Sequence, residues 1–127
     1  MMKRAFMALA TFGGAMATAL GAYGAHGLTK VAPPHLVESF NTAVMYQFFH
    51  CLLLMAVALW MRSNSSRLLV WAGTLVVLGM LGFSGSIYSM VLIGTKGIGM
   101  ITPMGGVLLI IGWLLLFAAV WRWERVS

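Results

Sequence analysis

Acidic residues and cysteine are scarce in this sequence. Glu38 and Glu124 are the only acids among its 127 residues, and both lie outside the long apolar stretches. A proton-coupled antiporter normally needs a carboxylate inside the membrane, so an antiporter of that kind is not expected. Cys51 is the only cysteine, which excludes an internal disulfide. Charged residues make up 8% of the chain, against about 25% in a typical soluble domain.

Apolar residues, at 61% of the chain, are concentrated in four long stretches. Each stretch has at least about 20 residues, enough for a helix to cross a bilayer core roughly 30 Å thick. The loops are short, which favours antiparallel packing of consecutive helices. The sequence therefore predicts an all-α, four-span transmembrane helix bundle with up-down-up-down topology, forming a single domain over residues 1–127. The predicted spans are approximately 5–28, 40–61, 68–93 and 100–121.

The basic residues account for the net charge of +6 and indicate the topology. Lys30 and Lys96 fall on one side of the membrane. The remaining basic residues all fall on the other side: Lys3, Arg4, Arg62, Arg67, Arg122 and Arg125. By the positive-inside rule, this asymmetry predicts that both termini are cytoplasmic. Because the charges form no basic stripe with interleaved aromatics on a soluble face, no nucleic-acid partner is expected.

The N-terminal segment also has features of a secretory signal peptide. Lys3 and Arg4 precede an apolar run, and the small residues at 17–19 (ATA) could serve as a cleavage site. The run is longer than the apolar core of a typical signal peptide, and it carries closely spaced small residues suited to helix packing. We therefore expect this segment to be retained as the first span.

Small residues recur at four-residue spacing within the spans. In span one they are Gly13, Ala17, Gly21 and Ala25. Further small residues of this kind are Gly82, Ser86, Gly105 and Gly106. Lipid provides no hydrophobic drive for helices to associate, so close backbone contact at small residues favours packing. We expect these residues to pack the helices of one chain together, with a dimer interface as the alternative.

Two pairs of residues predict where helices begin. Thr102 is a suitable N-cap, and Pro103 suits the first helical position of span four. The pair Pro33 and Pro34 likewise predicts the start of a helical segment that leads into span two.

Polar side chains within the spans fall in the half of the bundle away from most of the basic residues. Tyr46, Gln47 and His50 share one face of span two, because residues three and four apart are neighbours on a helix. The candidate site adds five residues near the same surface: His26, Ser84, Ser86, Tyr88 and Thr102. Unsatisfied polar groups in lipid are costly, so these side chains should face one another. They form either hydrogen bonds between helices or a small outward-facing pocket, in which His50 relays a proton or holds a ligand.

Cofactor and metal sites are not indicated by the sequence. His26 lies near the membrane surface and His50 about 12 Å deeper, too far apart in depth to ligate one haem iron. The 11 methionines are scattered over the spans, without a repeated pair beside Cys51 or His50 that would favour copper. No Ser/His/Asp set, HExxH motif, paired-cysteine motif or phosphate-binding loop is present. We expect no cofactor, no metal and no catalytic residues.

Four short segments, one in each span, carry a family resemblance. They are residues 21–26 (GAYGAH), 46–50 (YQFFH), 83–88 (FSGSIY) and 102–106 (TPMGG). In this order and spacing they resemble the YgdD-like family of small inner-membrane proteins, known as domain of unknown function 423 and related to transmembrane protein 256. The resemblance implies a multi-pass protein of the bacterial inner membrane, with relatives in organisms that have mitochondria, and implies no activity. Met45 departs from the pattern, because a polar or acidic residue is expected before the Tyr-Gln pair.

The sequence leaves two functions open. The first is a non-enzymatic integral membrane protein, an accessory subunit or scaffold of a larger membrane complex. The alternative is a binding or transport protein for a small solute or lipid, which uses the outward-facing polar pocket. A 13.7 kDa bundle has little room for a continuous aqueous path, so transport would require an oligomer. The expected partners are the lipid bilayer and either further copies of this chain or a larger membrane complex.

Overall fold

The computed structural model describes residues 2–64, 66–97 and 99–122. Within these residues the chain is all-helical, with a short 3-10 turn at Leu28–Lys30 and no strand. Each of the α-helices is long and apolar enough to cross a membrane. They are α1 (Met2–Ala25), α2 (Pro34–Trp60), α3 (Arg67–Ile93) and α4 (Ile101–Val120). The prediction of an all-α chain with four helices of membrane-spanning length is confirmed.

Local features set where several helices begin and end. Pro34 lies in the first turn of α2, as the Pro-Pro pair predicts, because its fixed φ suits this turn and its missing N–H is not needed there. Ser66 caps α3, since its side-chain oxygen accepts a hydrogen bond from the Leu68 backbone N–H at 3.2 Å. Gly94, with a φ of 68°, follows α3 in the left-handed conformation that glycine adopts without steric cost.

The start of α4 differs from the prediction. Met100, and not Thr102, is the N-cap residue, and no side chain caps this helix. Thr102 lies within the first turn, where its hydroxyl group hydrogen-bonds with Ser86 Oγ on α3. The N-cap prediction is therefore wrong. The Thr102 hydroxyl group bonds to the buried Ser86 on the neighbouring helix, and it does not cap an N–H group of α4.

Consecutive helices run antiparallel, so α1 begins and α4 ends at the same end of the bundle. Phe40, near the start of α2, packs on Tyr88, near the end of α3, with ring centroids 5.2 Å apart. Cys51, further along α2, contacts Met80, which comes earlier in α3. The contacts of α1 with α2, and of α3 with α4, follow the same reversed order. We call the end where α1 begins the terminal end.

An apolar core joins all four helices at the terminal end. Phe6 of α1, Leu54 of α2, Leu69 of α3 and Leu116 of α4 are buried there in one cluster. The Phe6 ring packs directly on the backbone of α3 at Gly73, where an added Cβ would overlap the ring. This core fills the interior of the bundle near the terminal end, and the buried polar side chains Gln47, Ser84 and Ser86 lie further from that end.

Small residues pack α1 against α2. Gly13 faces the Cys51 side chain, and a Cβ on Gly21 would lie 3.4 Å from Val44 Cγ1. Ala17, between them, is buried, whereas Ala25 is exposed. The predicted stripe therefore packs helices of one chain together as far as Gly21, and Ala25 does not belong to it.

The backbones of α3 and α4 approach each other closely at Gly105. A Cβ added to Gly105 would overlap the backbone nitrogen of Phe83 and lie 2.7 Å from the carbonyl carbon of Gly82. Further along α4, a Cβ on Gly112 would lie 2.9 Å from Val76 Cγ2. The backbones of α3 and α4 are thus in direct contact at Gly105, which only glycine permits.

Candidate functional site

Gln47 of α2 joins three helices through its side-chain amide. Its Nε2 donates a hydrogen bond of 2.7 Å to the backbone carbonyl of Gly13 on α1. Its Oε1 accepts a hydrogen bond of 2.6 Å from the Tyr88 hydroxyl on α3. These two partners fix the orientation of the amide, because a carbonyl oxygen can only accept. Gln47 therefore acts as a brace between α1, α2 and α3.

His50, one turn further along α2, has both ring nitrogens engaged. Nδ1 lies 2.8 Å from the backbone carbonyl oxygen of Tyr46, and the Trp113 indole N–H of α4 donates to Nε2 at 3.0 Å. A carbonyl only accepts and an indole N–H only donates, so Nδ1 carries the proton and Nε2 the lone pair. The geometry thus assigns the neutral, Nδ1-protonated tautomer. A ligand could bind at Nε2 only if Trp113 moved away.

Two serines of α3 bond to the neighbouring helices. Ser84, which is buried, donates a hydrogen bond of 2.8 Å from its hydroxyl group to the backbone carbonyl of Ala43 on α2. Ser86, also buried, hydrogen-bonds through Oγ with Thr102 Oγ1 on α4. α3 is therefore tied to α2 on one side and to α4 on the other, as expected for polar groups in an apolar medium.

The remaining predicted residues, Tyr46 and His26, are exposed. The Tyr46 ring stacks on the His50 ring, with centroids 5.9 Å apart, and packs against Phe83. His26 follows α1, where its backbone carbonyl accepts a hydrogen bond from the Thr29 hydroxyl group at 2.6 Å. The structure thus brings the candidate residues together in three separate pairs: Gln47 with Tyr88, His50 with Tyr46, and Ser86 with Thr102. Ser84 bonds to a backbone carbonyl and to no other candidate residue, and the His26 side chain contacts none of them in the described bonds.

A cavity of about 350 Å³ lies between α1, α2 and α3 and contains three of the candidate residues. Gln47, Ser84 and Tyr88 form its polar part. Its remaining lining is mostly apolar and includes Phe12 and Leu81, each 67% exposed at the outside of the bundle. We call it the lateral cavity, because these exposed residues border it in the middle of the helices. Thr102 lines a different cavity, together with residues of α2.

Trp113 is the site residue that sequence reasoning missed. Trp60, Trp71 and Trp121 lie at or near helix ends, where tryptophan is common. Trp113 lies inside α4 and is 49% exposed, and an indole N–H in an apolar medium needs an acceptor within the protein. Its position in the middle of a span was the signal that could have identified it as a partner of His50.

Soft and charged ligand groups are dispersed in the structure. Cys51 Sγ lies 3.9 Å from Met80 Sδ, a weak contact between α2 and α3. Across residues 2–64, 66–97 and 99–122, no three His, Cys, Asp or Glu side chains are grouped as potential metal ligands.

Comparison with known proteins places the chain among membrane proteins. Residues 20–106 match the family described as "Protein of unknown function (DUF423)". A UPF0382 membrane protein of Staphylococcus aureus (strain bovine RF122 / ET3-1) is 39% identical over 117 residues, which cover 92% of this chain and 95% of the relative. No solved structure matches the chain significantly.

Relatives occur in bacteria and in a fungus. A UPF0382 membrane protein of Staphylococcus epidermidis (strain ATCC 12228) is 39% identical over 116 residues, or 91% of this chain and 94% of the relative. One of the fission yeast Schizosaccharomyces pombe is 42% identical over 112 residues, or 83% of this chain and 92% of the relative. The resemblance carried by the four motifs is confirmed. The chain belongs to the DUF423 family, which comprises membrane proteins of unknown function.

Proposed function

We propose that this chain is a non-enzymatic integral membrane protein that serves as an accessory or scaffold subunit in a larger membrane assembly. Several of the polar side chains within the spans are engaged in holding the bundle together. Gln47, Ser84 and Trp113 each donate a hydrogen bond to a neighbouring helix. With these groups engaged internally, the outer surface of the helices is the part of the molecule that best suits a scaffold.

The observation that carries the proposal is the outer surface of α1. One exposed stripe consists only of short side chains: Ala8, Thr11, Ala15, Thr18 and Ala22. Alternate spacings of three and four residues place them on one helix face. The hydroxyl groups of Thr11 and Thr18 bond to carbonyls of their own helix, so neither presents an unsatisfied donor to the membrane. Small residues in a membrane favour close approach by another helix.

The exposed face of α4 has the opposite character. Ile110, Leu114 and Phe117 are all bulky and between 59% and 62% exposed. Bulky apolar side chains suit contact with acyl chains, whereas the stripe of short side chains on α1 makes fewer contacts with them. This contrast within one molecule favours α1 as the surface that receives a second helix.

We propose an orientation with both termini in the cytoplasm, in the bacterial inner membrane. Lys3, Arg62, Arg67 and Arg122 lie at the terminal end of the bundle, which is the arrangement that the positive-inside rule assigns to the cytoplasm. Fusion of alkaline phosphatase or green fluorescent protein to the C-terminus tests this. We expect the fluorescent fusion to fluoresce and the phosphatase fusion to be inactive. Phosphatase activity would show that the C-terminus lies outside the cytoplasm, opposite to the proposed orientation.

Native mass spectrometry of the full chain, purified from its own membranes in mild detergent, tests the scaffold proposal. A stoichiometric assembly with a second protein or with further copies of this chain is expected. The double variant Ala15→Leu/Thr18→Leu should lose this assembly while remaining helical, because the larger side chains hold another helix away. The matched control is Ala118→Leu, which enlarges an exposed alanine of α4. A wild-type chain that is recovered only as a monomer contradicts the proposal, as does equal dissociation in the control.

The lateral cavity favours a second candidate function, the binding of a lipid or small apolar solute. Its apolar lining suits a hydrocarbon chain, and Gln47, Ser84 and Tyr88 offer a polar contact at one wall. Gly85 lines this cavity, and a Cβ there would have no atom within 4 Å. Gly85→Leu should therefore fill part of the cavity and displace a co-purifying ligand, whereas Ala118→Leu should retain it. Equal ligand retention in both variants would argue against this candidate.

A further inference from the structure

Asn64, which follows α2, is an exception among the buried polar side chains. It is 8% exposed, yet its amide makes no hydrogen bond to any described residue. Gln47, Ser84 and Ser86 are similarly buried and all have partners. No completely buried side-chain nitrogen or oxygen lacks a partner in the described part of the chain. The Asn64 amide is therefore accessible from the cavity that it lines, and is available to a ligand.

This cavity, which we call the terminal cavity, has a volume of about 350 Å³ and carries two cationic side chains. Lys3 comes from the first turn of α1, and Arg67 is the first residue of α3. Glu38 is the only acid among the described residues, and it lies near the start of α2, at the opposite end of the bundle. Among the described residues, the terminal cavity is therefore lined by two cations and no carboxylate.

The starts of two helices add to this positive character. α1 begins at Met2 and α3 at Arg67, and both residues line the terminal cavity. Neither helix has an acidic residue in its first turn. Ser66 satisfies only the Leu68 N–H, so the other N–H groups of the first turn of α3 have no such cap. Such N–H groups, together with the positive end of the helix dipole, favour a bound phosphate group.

The length of α3 favours a lipid headgroup as the source of that phosphate. α3 has 27 residues, so it is about 40 Å long and exceeds the hydrocarbon core of roughly 30 Å. A helix of this length extends beyond the core, and we expect its charged first residue, Arg67, at the level of the lipid headgroups. Met61 and Val70 give the terminal cavity an apolar part, which suits a molecule with acyl chains. A free phosphate ion has no apolar part that could contact such a surface.

We propose that the terminal cavity binds the headgroup phosphate of an anionic phospholipid. Lys3 and Arg67 neutralise its charge, and the Asn64 amide donates a hydrogen bond to a phosphate oxygen. The acyl chains then continue along the apolar surface beside Met61 and Val70. This assigns a ligand to one leaflet and to one corner of the bundle, independently of the proposed scaffold function.

Lipid titration of the delipidated full chain, followed by native mass spectrometry, tests the proposal. Phosphatidylglycerol should bind at least about tenfold more tightly than phosphatidylcholine. Asn64→Leu and Arg67→Gln should each weaken phosphatidylglycerol binding by about tenfold, because a hydrogen bond to a charged group contributes roughly that factor. The matched control is Arg62→Gln, which removes an exposed cation that follows α2 but does not line the cavity. This variant should bind like the wild type.

Several outcomes would overturn the proposal. Equal affinity for phosphatidylglycerol and phosphatidylcholine would show that the cavity has no specificity for anionic lipid. If Arg62→Gln weakens phosphatidylglycerol binding as much as Arg67→Gln does, the lipid is attracted by net charge alone. Binding of inorganic phosphate in the absence of any phosphatidylglycerol binding makes the cavity a site for the free ion. Circular dichroism checks that each variant is folded. If Asn64→Leu does not fold, the comparison of Arg67→Gln with Arg62→Gln decides, because both change exposed arginines.

Discussion

Both helix pairs of the bundle, α1 with α2 and α3 with α4, pack through small residues, but they differ in what those residues touch. In the α3/α4 pair, a Cβ on Gly105 would lie 2.9 Å from the Gly79 carbonyl oxygen, so backbone meets backbone. In the α1/α2 pair, Gly13 and Gly21 face side chains of α2. A side chain can rotate away from a new neighbour, whereas a backbone moves only with its helix. The α3/α4 pair is therefore rigid and the α1/α2 pair adaptable.

The adaptable pair also contains the polar brace and borders the lateral cavity. Gln47 joins α1 to α2 and reaches Tyr88 on α3, and the cavity opens beside this contact. Hydrogen bonds hold helices at a defined separation without close backbone contact, which leaves space between them. The helices thus pack tightly where glycines of α3 and α4 are in contact. They pack less tightly where the hydrogen bonds of Gln47 set the separation between helices.

The largest expected effect comes from adding one methyl group to the rigid pair. Gly105→Ala should lower the free energy of unfolding by about 3 kcal/mol, because the methyl group overlaps the α3 backbone and forces the helices apart. The matched control is Gly106→Ala, whose Cβ would lie 3.8 Å from Phe83 Cδ1, an ordinary contact. Unfolding by sodium dodecyl sulfate, followed by circular dichroism, measures both. Similar stability of the two variants would show that α3 and α4 are not in backbone contact.

A smaller loss is expected when the brace of the adaptable pair is removed. Gln47→Leu keeps the approximate volume but deletes the bonds to Gly13 and Tyr88, so the free energy of unfolding should fall by about 1.5 kcal/mol. Most of this loss comes from the two bonds, and the rest from leaving the Tyr88 hydroxyl group without an acceptor.

A double-mutant cycle separates these contributions. Tyr88→Phe should cost less in the Gln47→Leu background than in the wild type, because the hydroxyl group then has no bond to lose. The same unfolding titration gives all four free energies. Strict additivity of the two substitutions would mean that the amide and the hydroxyl group do not interact.

Some features of this comparison could be predicted from the sequence, and others could not. The four spans follow from apolar runs, because the thickness of the bilayer fixes their length. It also follows that polar side chains within the spans bond to neighbouring helices, because lipid offers them no partners. The individual bonds do not, since Gln47 and Ser84 use backbone carbonyls, which every residue possesses. Thr102 shows the same limit: which neighbour its hydroxyl group meets depends on how α4 lies against α3.

The next effect is smaller, and it distinguishes contact with a side chain from contact with a backbone. A Cβ on Gly13 would lie 2.6 Å from Cys51 Sγ, and no other atom of the neighbouring helices lies within 4 Å. Gly13→Ala should therefore cost about 1 kcal/mol, less than Gly105→Ala, because only one sulfur atom must move. Adding Cys51→Ala should restore most of that loss by removing the sulfur atom. If the double variant Gly13→Ala/Cys51→Ala is as unstable as Gly13→Ala, the added methyl group must clash with the backbone of α2. α1 and α2 would then also be in backbone contact.

The smallest expected effect lies where the two pairs are joined, at the hydrogen bond from Trp113 to His50. Trp113→Phe removes the indole donor and should lower the free energy of unfolding by about 0.6 kcal/mol, the average for a bond between membrane helices. The decisive measurement is the ¹⁵N NMR spectrum of labelled His50, because the contact with Tyr46 requires a protonated Nδ1 and the contact with Trp113 requires a lone pair on Nε2. The wild type should show the neutral Nδ1-protonated tautomer, and in Trp113→Phe the Nε2 resonance should shift as it loses its donor. A wild-type spectrum with the proton on Nε2 would mean that α4 does not donate to α2, and that only the apolar core and contacts through α3 join the two pairs.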